Sequence, residues 1–154
     1  MNYEIHVVNL QPQLIGVVRR IAKPTELSQV VLRCCGEVWD FLRSRRDLQP
    51  GRNVAVYLDG AITLECGAEV AQRFDRAGQI TCSTTPSGRV ATTRHAGDYS
   101  RLGEAHASIR KWCVAHGYVL AGPNWEIYGH WNDDPAKLHT YVHCLLRGDN
   151  DSST

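Results

Sequence analysis

Hydrophobic positions change their period several times along the chain, and each change marks an element. Tyr3–Leu10 and Leu14–Ala22 are rich in Ile, Val and Leu and predict two strands. After Lys23-Pro24-Thr25-Glu26 the period lengthens. Val31, Cys34, Val38 and Leu42 recur every three or four residues, the buried stripe of a helix that Pro50-Gly51 stops. Asn53–Gly60 and Ala61–Gly67 return to strand patterning, joined through Asp59-Gly60, a common hairpin signal. Gln79–Thr85 and Arg89–His95 read as a second hairpin, across Pro86-Ser87-Gly88. A second helix follows, with Asp98 or Ser100 as cap, the stripe Leu102, Ala105, Ile109 and Cys113, and Gly117 as a left-handed stop. Asn124–His130 and Leu138–Leu146 supply the last two strands. Residues 147–154, "RGDNDSST", form a polar tail.

The order strand, helix, strand, strand therefore occurs twice, and the residues repeat with it. "FLRSRRDLQPGRNVAVYLDG" lies on "WCVAHGYVLAGPNWEIYGHW" without a gap, pairing Phe41 with Trp112, Gly51 with Gly122, Asn53 with Asn124 and Tyr57 with Tyr128. Upstream, "IGVVRR" falls on "VATTRH". This pattern predicts one domain over residues 3–146, built by duplication from modules at roughly 3–78 and 79–146. Two such modules give an α+β fold, a mainly antiparallel sheet with two helices and a ligand cleft at the centre. In the repeat Glu126 replaces Ala55, while the two tyrosines stay matched.

Composition narrows the classes. A 154-residue chain with 43% hydrophobic and 21% charged residues has the makings of a folded core. A net charge of +1 provides no footprint for direct nucleic-acid binding. The arginines Arg43, Arg45 and Arg46 suit the end of the first helix. No apolar run approaches the ~20 residues of a membrane helix, and "MNYEIHVVNL" has no signal-peptide pattern, so a cytoplasmic location is the expectation. The six cysteines, Cys34, Cys35, Cys66, Cys82, Cys113 and Cys144, contain no C-x-x-C pair and read as small buried hydrophobes in a reducing compartment. His139 and His143 have the spacing of helical metal ligands. On a strand, four residues cover about 13 Å at ~3.3 Å each, too far to share one ion. No metal, cofactor or disulfide is expected.

The densest chemistry lies in "GPNWEIYGHW", Gly122–Trp131, which sets one carboxylate among rings. On a strand, Trp125, Ile127, Gly129 and Trp131 face one way, as core. Asn124, Glu126, Tyr128 and His130 face the other way, toward water or a ligand. An acid lined by rings is poorly hydrated, so its charge is available to a cation, and ring faces add cation–π attraction. His95 and Asp98 suggest an acid–base pair, although capping accounts equally for Asp98.

The stretch "ATTRHAGDYSRLGEAHASIRKWCVAHGYVLAGPNWEIY" resembles the GyrI-like small-molecule-binding domain. It carries that family's His-x-Gly-x-Tyr lead into the second helix and its Gly-Pro-x-x-Glu-x-Tyr pattern, here Gly122, Pro123, Glu126 and Tyr128. The resemblance covers roughly Tyr3 to Leu146. It implies tandem strand–helix–strand–strand modules around a pocket, as in the effector-binding halves of AraC- and MerR-type multidrug-responsive regulators. It also implies that Glu126 is the carboxylate that meets cationic, hydrophobic drugs. Tyr128 and Tyr57, matched in the repeat, Trp39, one residue beyond the main stripe of the first helix, and Tyr99, part of the resembling motif, are the further ligand-binding candidates. No helix-turn-helix segment is recognisable before Tyr3 or after Leu146, so a standalone effector-binding module is expected, with any DNA contact supplied by a protein partner. Some relatives hydrolyse cyclopropane rings of genotoxic natural products. The alternative is therefore a hydrolase in which Glu126 activates water and Tyr57 or Tyr128 protonates the leaving group. A third class is a modulator that binds another protein.

Overall fold

The computed structural model describes residues 3–59, 62–130 and 132–148. Strands β1 (His6–Leu10) and β2 (Leu14–Ile21) precede helix α1 (Leu27–Leu42) and strands β3 (Asn53–Tyr57), β4 (Thr63–Glu69) and β5 (Ile80–Thr84). Strand β6 (Gly88–Ala96), helix α2 (Leu102–His116), β7 (Leu120–Tyr128) and β8 (His139–Leu146) complete an α+β chain whose strand pairings are antiparallel. Each predicted strand and helix has its counterpart. Trp131, Gly60 of the first hairpin signal and residues 149–154 of the tail lie outside the described residues.

The chain folds as two compact units, Pro12–Thr85 and Met1–Gln11 with Pro86–Thr154. In the first, β4 pairs with β3 and β2, and β2 also pairs with β5. Helix α1 buries Cys34, Cys35, Val38 and Leu42, the stripe read from its period. In the second, β8 pairs with β7 and β6, and β6 also pairs with β1. Helix α2 buries Leu102, Ala105, Ile109 and Cys113 against Ala91, Val142, Cys144 and Leu146. Gly117 ends α2 at φ 77°, and its N–H is held by the preceding turn.

One local expectation is corrected. The segments on either side of Pro86-Ser87-Gly88 do not form a hairpin: β5 pairs with β2, whereas β6 pairs with β1 and β8. A short Pro-Gly connection is the ordinary mark of a tight turn. Here β2 and β1 supply the ladder partners, and no local pattern records that choice.

The internal register of the two units is the same, row for row. Asn53, Ala68, Gly16 and Cys82 pair across the first sheet, and Asn124, Cys144, Ala91 and Val7 pair in the corresponding row of the second. The row Ala55–Cys66–Val18 corresponds to Glu126–Val142–Thr93, and the row Tyr57–Leu64–Arg20 to Tyr128–Thr140–His95. These are the matches the repeated sequence implied, including "IGVVRR" on "VATTRH".

Candidate ligand-binding site

The site is built on β7. Gly122 adopts φ 119°, and the pairing with β8 shifts between Leu120 and Asn124. Four residues advance on β7 against two on β8, so the irregularity absorbs an even number and alternation keeps its phase. A one-residue slip would have turned Glu126 over to the other face. Beyond it, Asn124–Tyr128 pair regularly with Cys144–Thr140.

Both faces of this strand are buried. Trp125 and Ile127 are 1% and 8% exposed, with the Trp125 ring 5.1 Å from that of His143. Glu126 faces the opposite way, toward α2, and is itself only 5% exposed. The acid sits under a helix, not on an open sheet face. His106, on α2, donates from Nε2 to Glu126 Oε2 at 2.8 Å, and the Tyr128 hydroxyl donates to Oε1 at 2.5 Å. The Tyr99 ring, just ahead of α2, meets the Tyr128 ring edge-on at 5.4 Å. Burial pushes the Tyr99 phenol above its ordinary pKa, so it acts as a neutral donor or ring wall. Glu126, Tyr128 and Tyr99, three of the expected ligand-binding residues, thus form one cluster, and His106 completes it.

His106 was not singled out by the sequence reading. It follows Ala105, a stripe residue, and so stands about 100° round the helix at the margin of the buried face. A signal was nevertheless present. The gapless match that pairs Phe41 with Trp112 extends upstream to place Cys35 on His106, so both substitutions of the repeat at the site, Ala55 to Glu126 and Cys35 to His106, share one frame.

In the other unit Trp39 is half-buried and donates from Nε1 to Asn53 Oδ1 at 2.5 Å, while Tyr57 is half-buried at the end of β3, opposite Leu64. His130 is exposed. His95 and Asp98 are not an acid–base pair. The Asp98 carboxylate caps the turn by accepting from the Ser100 N–H at 3.0 Å, and His95, fully buried, bonds the Asp98 carbonyl and the Tyr3 hydroxyl. Cys34, Cys35, Cys66, Cys113 and Cys144 are buried free thiols, and burial pushes those of Cys35 and Cys144 up to about 12. His139 and His143 lie on strand β8, as their spacing analysis required. A second buried acid, Glu65, is tied down by Arg19 at 3.0 Å and Ser83 at 2.8 Å. A guanidinium fork and a hydroxyl hold it as a structural ion pair.

Glu126 is thus a buried carboxylate that meets an imidazole, a phenol and, through Tyr128, the Tyr99 ring. The model of the GyrI-like small molecule binding domain matches residues 3–144. The chain belongs to the GyrI-like family. Among solved structures, this GyrI-like chain is similar to the EcmrR C-terminal domain, with TM-score 0.80 at 19% identity over 96% of this chain and 99% of that one. It is also similar to SAV2435 bound to tetraphenylphosphonium (TM-score 0.63, 12% identity, 99% and 98% covered). A hydrolase encoded by lin2189 from Listeria innocua matches with TM-score 0.64 at 9% identity, 94% and 92% covered. At these identities the structures share the fold. No curated protein matches the sequence itself. No described helix is long and apolar enough to cross a membrane.

Proposed function

We propose that this GyrI-like domain binds hydrophobic, cationic small molecules through Glu126, as a cytoplasmic module that sequesters them or reports them to a protein partner. The observation that carries the reading is the state of Glu126. Its side chain is 7% exposed, and its two oxygens accept from the His106 imidazole and the Tyr128 phenol. A buried carboxylate bonded by an imidazole and a phenol suits a ligand that brings positive charge, and the rings of Tyr99 and Tyr128 suit a flat or aryl body. The tetraphenylphosphonium-bound relative supports that chemical class.

The test is a pair of titrations, with tetraphenylphosphonium and with triphenylphosphine oxide, a neutral molecule of related shape. Glu126→Gln should weaken the cation by about five- to a hundred-fold, roughly 1–3 kcal/mol, and the neutral ligand much less. Equal losses for both would make the acid structural. Trp39→Ala and Tyr57→Phe in the same titrations decide whether those residues contact the ligand.

A second reading, a hydrolase, is supported by the 2.5 Å bond from Tyr128 to Glu126, which places an acid and a base on one strand, and by the likeness to the Listeria innocua hydrolase. Glu126 would activate water and Tyr128 protonate the leaving group. Product beyond one equivalent from a strained cyclopropane electrophile would establish turnover.

A further inference from the structure

We propose that the unit Pro12–Thr85 carries an anion site of its own. It is a groove of about 590 Å³, lined by Arg45, Arg73, Arg76 and the Phe74 ring, that takes a small aromatic oxyanion, an aryl phosphate or carboxylate. The proposal goes beyond the cation-binding reading and does not depend on it.

The groove is assembled from the turn after α1, the connection between β4 and β5, and β5 itself. Phe74 is its wall. The ring is seated over Gly16 of β2, where an added Cβ would lie 3.2 Å from its Cζ, and it meets the Phe41 ring at 5.3 Å. Cys82 pairs with Gly16 across the ladder, so its side chain leaves the sheet on the same face, beside that wall.

The three guanidinium groups are held in different ways. Arg45 is fixed by a fork on Asp47, with two bonds of 3.0 Å, and its Cζ lies 5.9 Å from the Phe41 ring centroid. Arg76 donates from Nε to the Gly78 carbonyl at 2.8 Å, which anchors one edge and leaves its terminal amino groups for an acceptor. Arg73 is exposed, and no hydrogen bond or ion pair engages it among the described residues. Asp75 also lines the groove and Asp47 offsets Arg45, so the cations outnumber the acids and the sign stays positive.

A single surface arginine is ordinarily just solvated. Here three converge from two stretches of chain on a ring that is already seated, with room for a ligand of one or two rings. A planar guanidinium fork matches the paired oxygens of a carboxylate or phosphate. An aromatic body can lie on Phe74 while Arg73 and Arg76 take the oxyanion. Convergence on one groove with an aromatic wall favours a small ring-bearing anion over an acidic peptide.

The protein carries its own reporter. Cys82 is half-buried, whereas the other five thiols are buried. The experiment follows its alkylation on the intact protein by mass spectrometry, beside calorimetric titrations with naphthyl phosphate and naphthoate. Iodoacetate and iodoacetamide both attack the thiolate, so the ratio of their rates cancels its ionisation and reads local charge. At low salt that ratio should exceed the ratio for mercaptoethanol by about threefold or more, and it should fall in Arg73→Gln and in Arg76→Gln. Both naphthyl anions should protect Cys82 from iodoacetamide. Neutral naphthol and inorganic phosphate should each bind about tenfold more weakly or worse, and each arginine substitution should weaken the anions by about three- to tenfold.

Equal rate ratios for Cys82 and mercaptoethanol would overturn the proposal, as would failure of both naphthyl anions to protect Cys82. Equal binding of naphthol would also overturn it, because the charge would then serve no ligand. Protection by a polyglutamate peptide but by neither naphthyl anion would replace it with an acidic protein partner. Arg73 and Arg76 are exposed, so their substitution should leave folding intact. Should a variant nonetheless fail to fold, the rate ratio and the ligand comparison on the unaltered protein still decide.

Discussion

In the unit Pro12–Thr85, Ala55 on β3 and Cys35 on α1 are apolar, buried residues in a fully packed layer. At the matching positions of the other unit stand Glu126 and His106, bonded to each other at 2.8 Å. Around these positions the framework is shared, although Val18 and Leu64 also give way to Thr93 and Thr140 in the matching rows. The helix stripes match residue for residue, Cys34 with Ala105, Val38 with Ile109 and Leu42 with Cys113, and the strand ladders share one register. The lesson is about economy of change. A scaffold whose one copy buries Ala55 and Cys35 at this place gains, in the other, a bonded acid–imidazole pair on facing elements. Neither residue suffices alone, because a buried acid needs a partner and a buried imidazole needs an acceptor.

The largest effect should come from forcing the dry unit to imitate the polar one. Ala55→Glu places a carboxylate at a position with no exposure, beside Cys66 and Val18 in its row. An unpartnered buried charge should cost at least 3–5 kcal/mol, or leave the chain unfolded. Adding Cys35→His should recover part of that loss. Denaturant melts of the single and double variants check it, and a double no more stable than the single would break the equivalence of the two frames.

Next is the shared stripe. Ile109 and Val38 are both fully buried at matching positions. Ile109→Ala should destabilise by about 2–4 kcal/mol, and Val38→Ala by somewhat less because fewer methylenes are removed. A negligible effect in either unit would show that its helix is not packed as its twin is.

The converse replacement makes the polar unit dry. Glu126→Ala alone removes the acceptor of His106, and His106→Cys alone leaves the acid with one fewer donor, each at about 1–3 kcal/mol. The double variant, which restores the Ala55 and Cys35 pair, should be more stable than the sum of the singles implies, by about 1 kcal/mol or more, while cation binding is lost. Strict additivity would mean the two groups are not coupled.

The smallest effect separates the two helix starts. Asp98 caps the turn that leads into α2, whereas the start of α1 has no side-chain cap. Asp98→Ala should therefore cost about 1 kcal/mol, with no counterpart at Lys23→Ala. Thermal melts would register the difference.

Much of this comparison was legible in the residues. Period alone located both helix stripes and all the strands, because burying one face of an element imposes a spacing that any chain must write down. Asp98 and Gly117 were legible as helix signals because capping and a left-handed stop are chemistry within a few residues. Glu126 and Tyr128 stood out because an acid among rings is unusual wherever it folds, and Tyr99 came with the family motif that leads into the second helix. Pairing was another matter. That β5 joins β2, and that β6 joins β1 and not its neighbour in sequence, depends on which ladder completes the larger packed sheet. A strand's own pattern says that it has a partner and not which one. His106 shows the same limit in one residue. Its sequence neighbourhood is that of an ordinary position at a helix margin, and it acquires meaning only when α2 is laid over β7 and its Nε2 comes within 2.8 Å of Glu126. Sequence determines which residues must be buried and which carry charge. Tertiary structure alone decides which buried charge meets which partner, because that contact joins two segments through a common core and not through a common period.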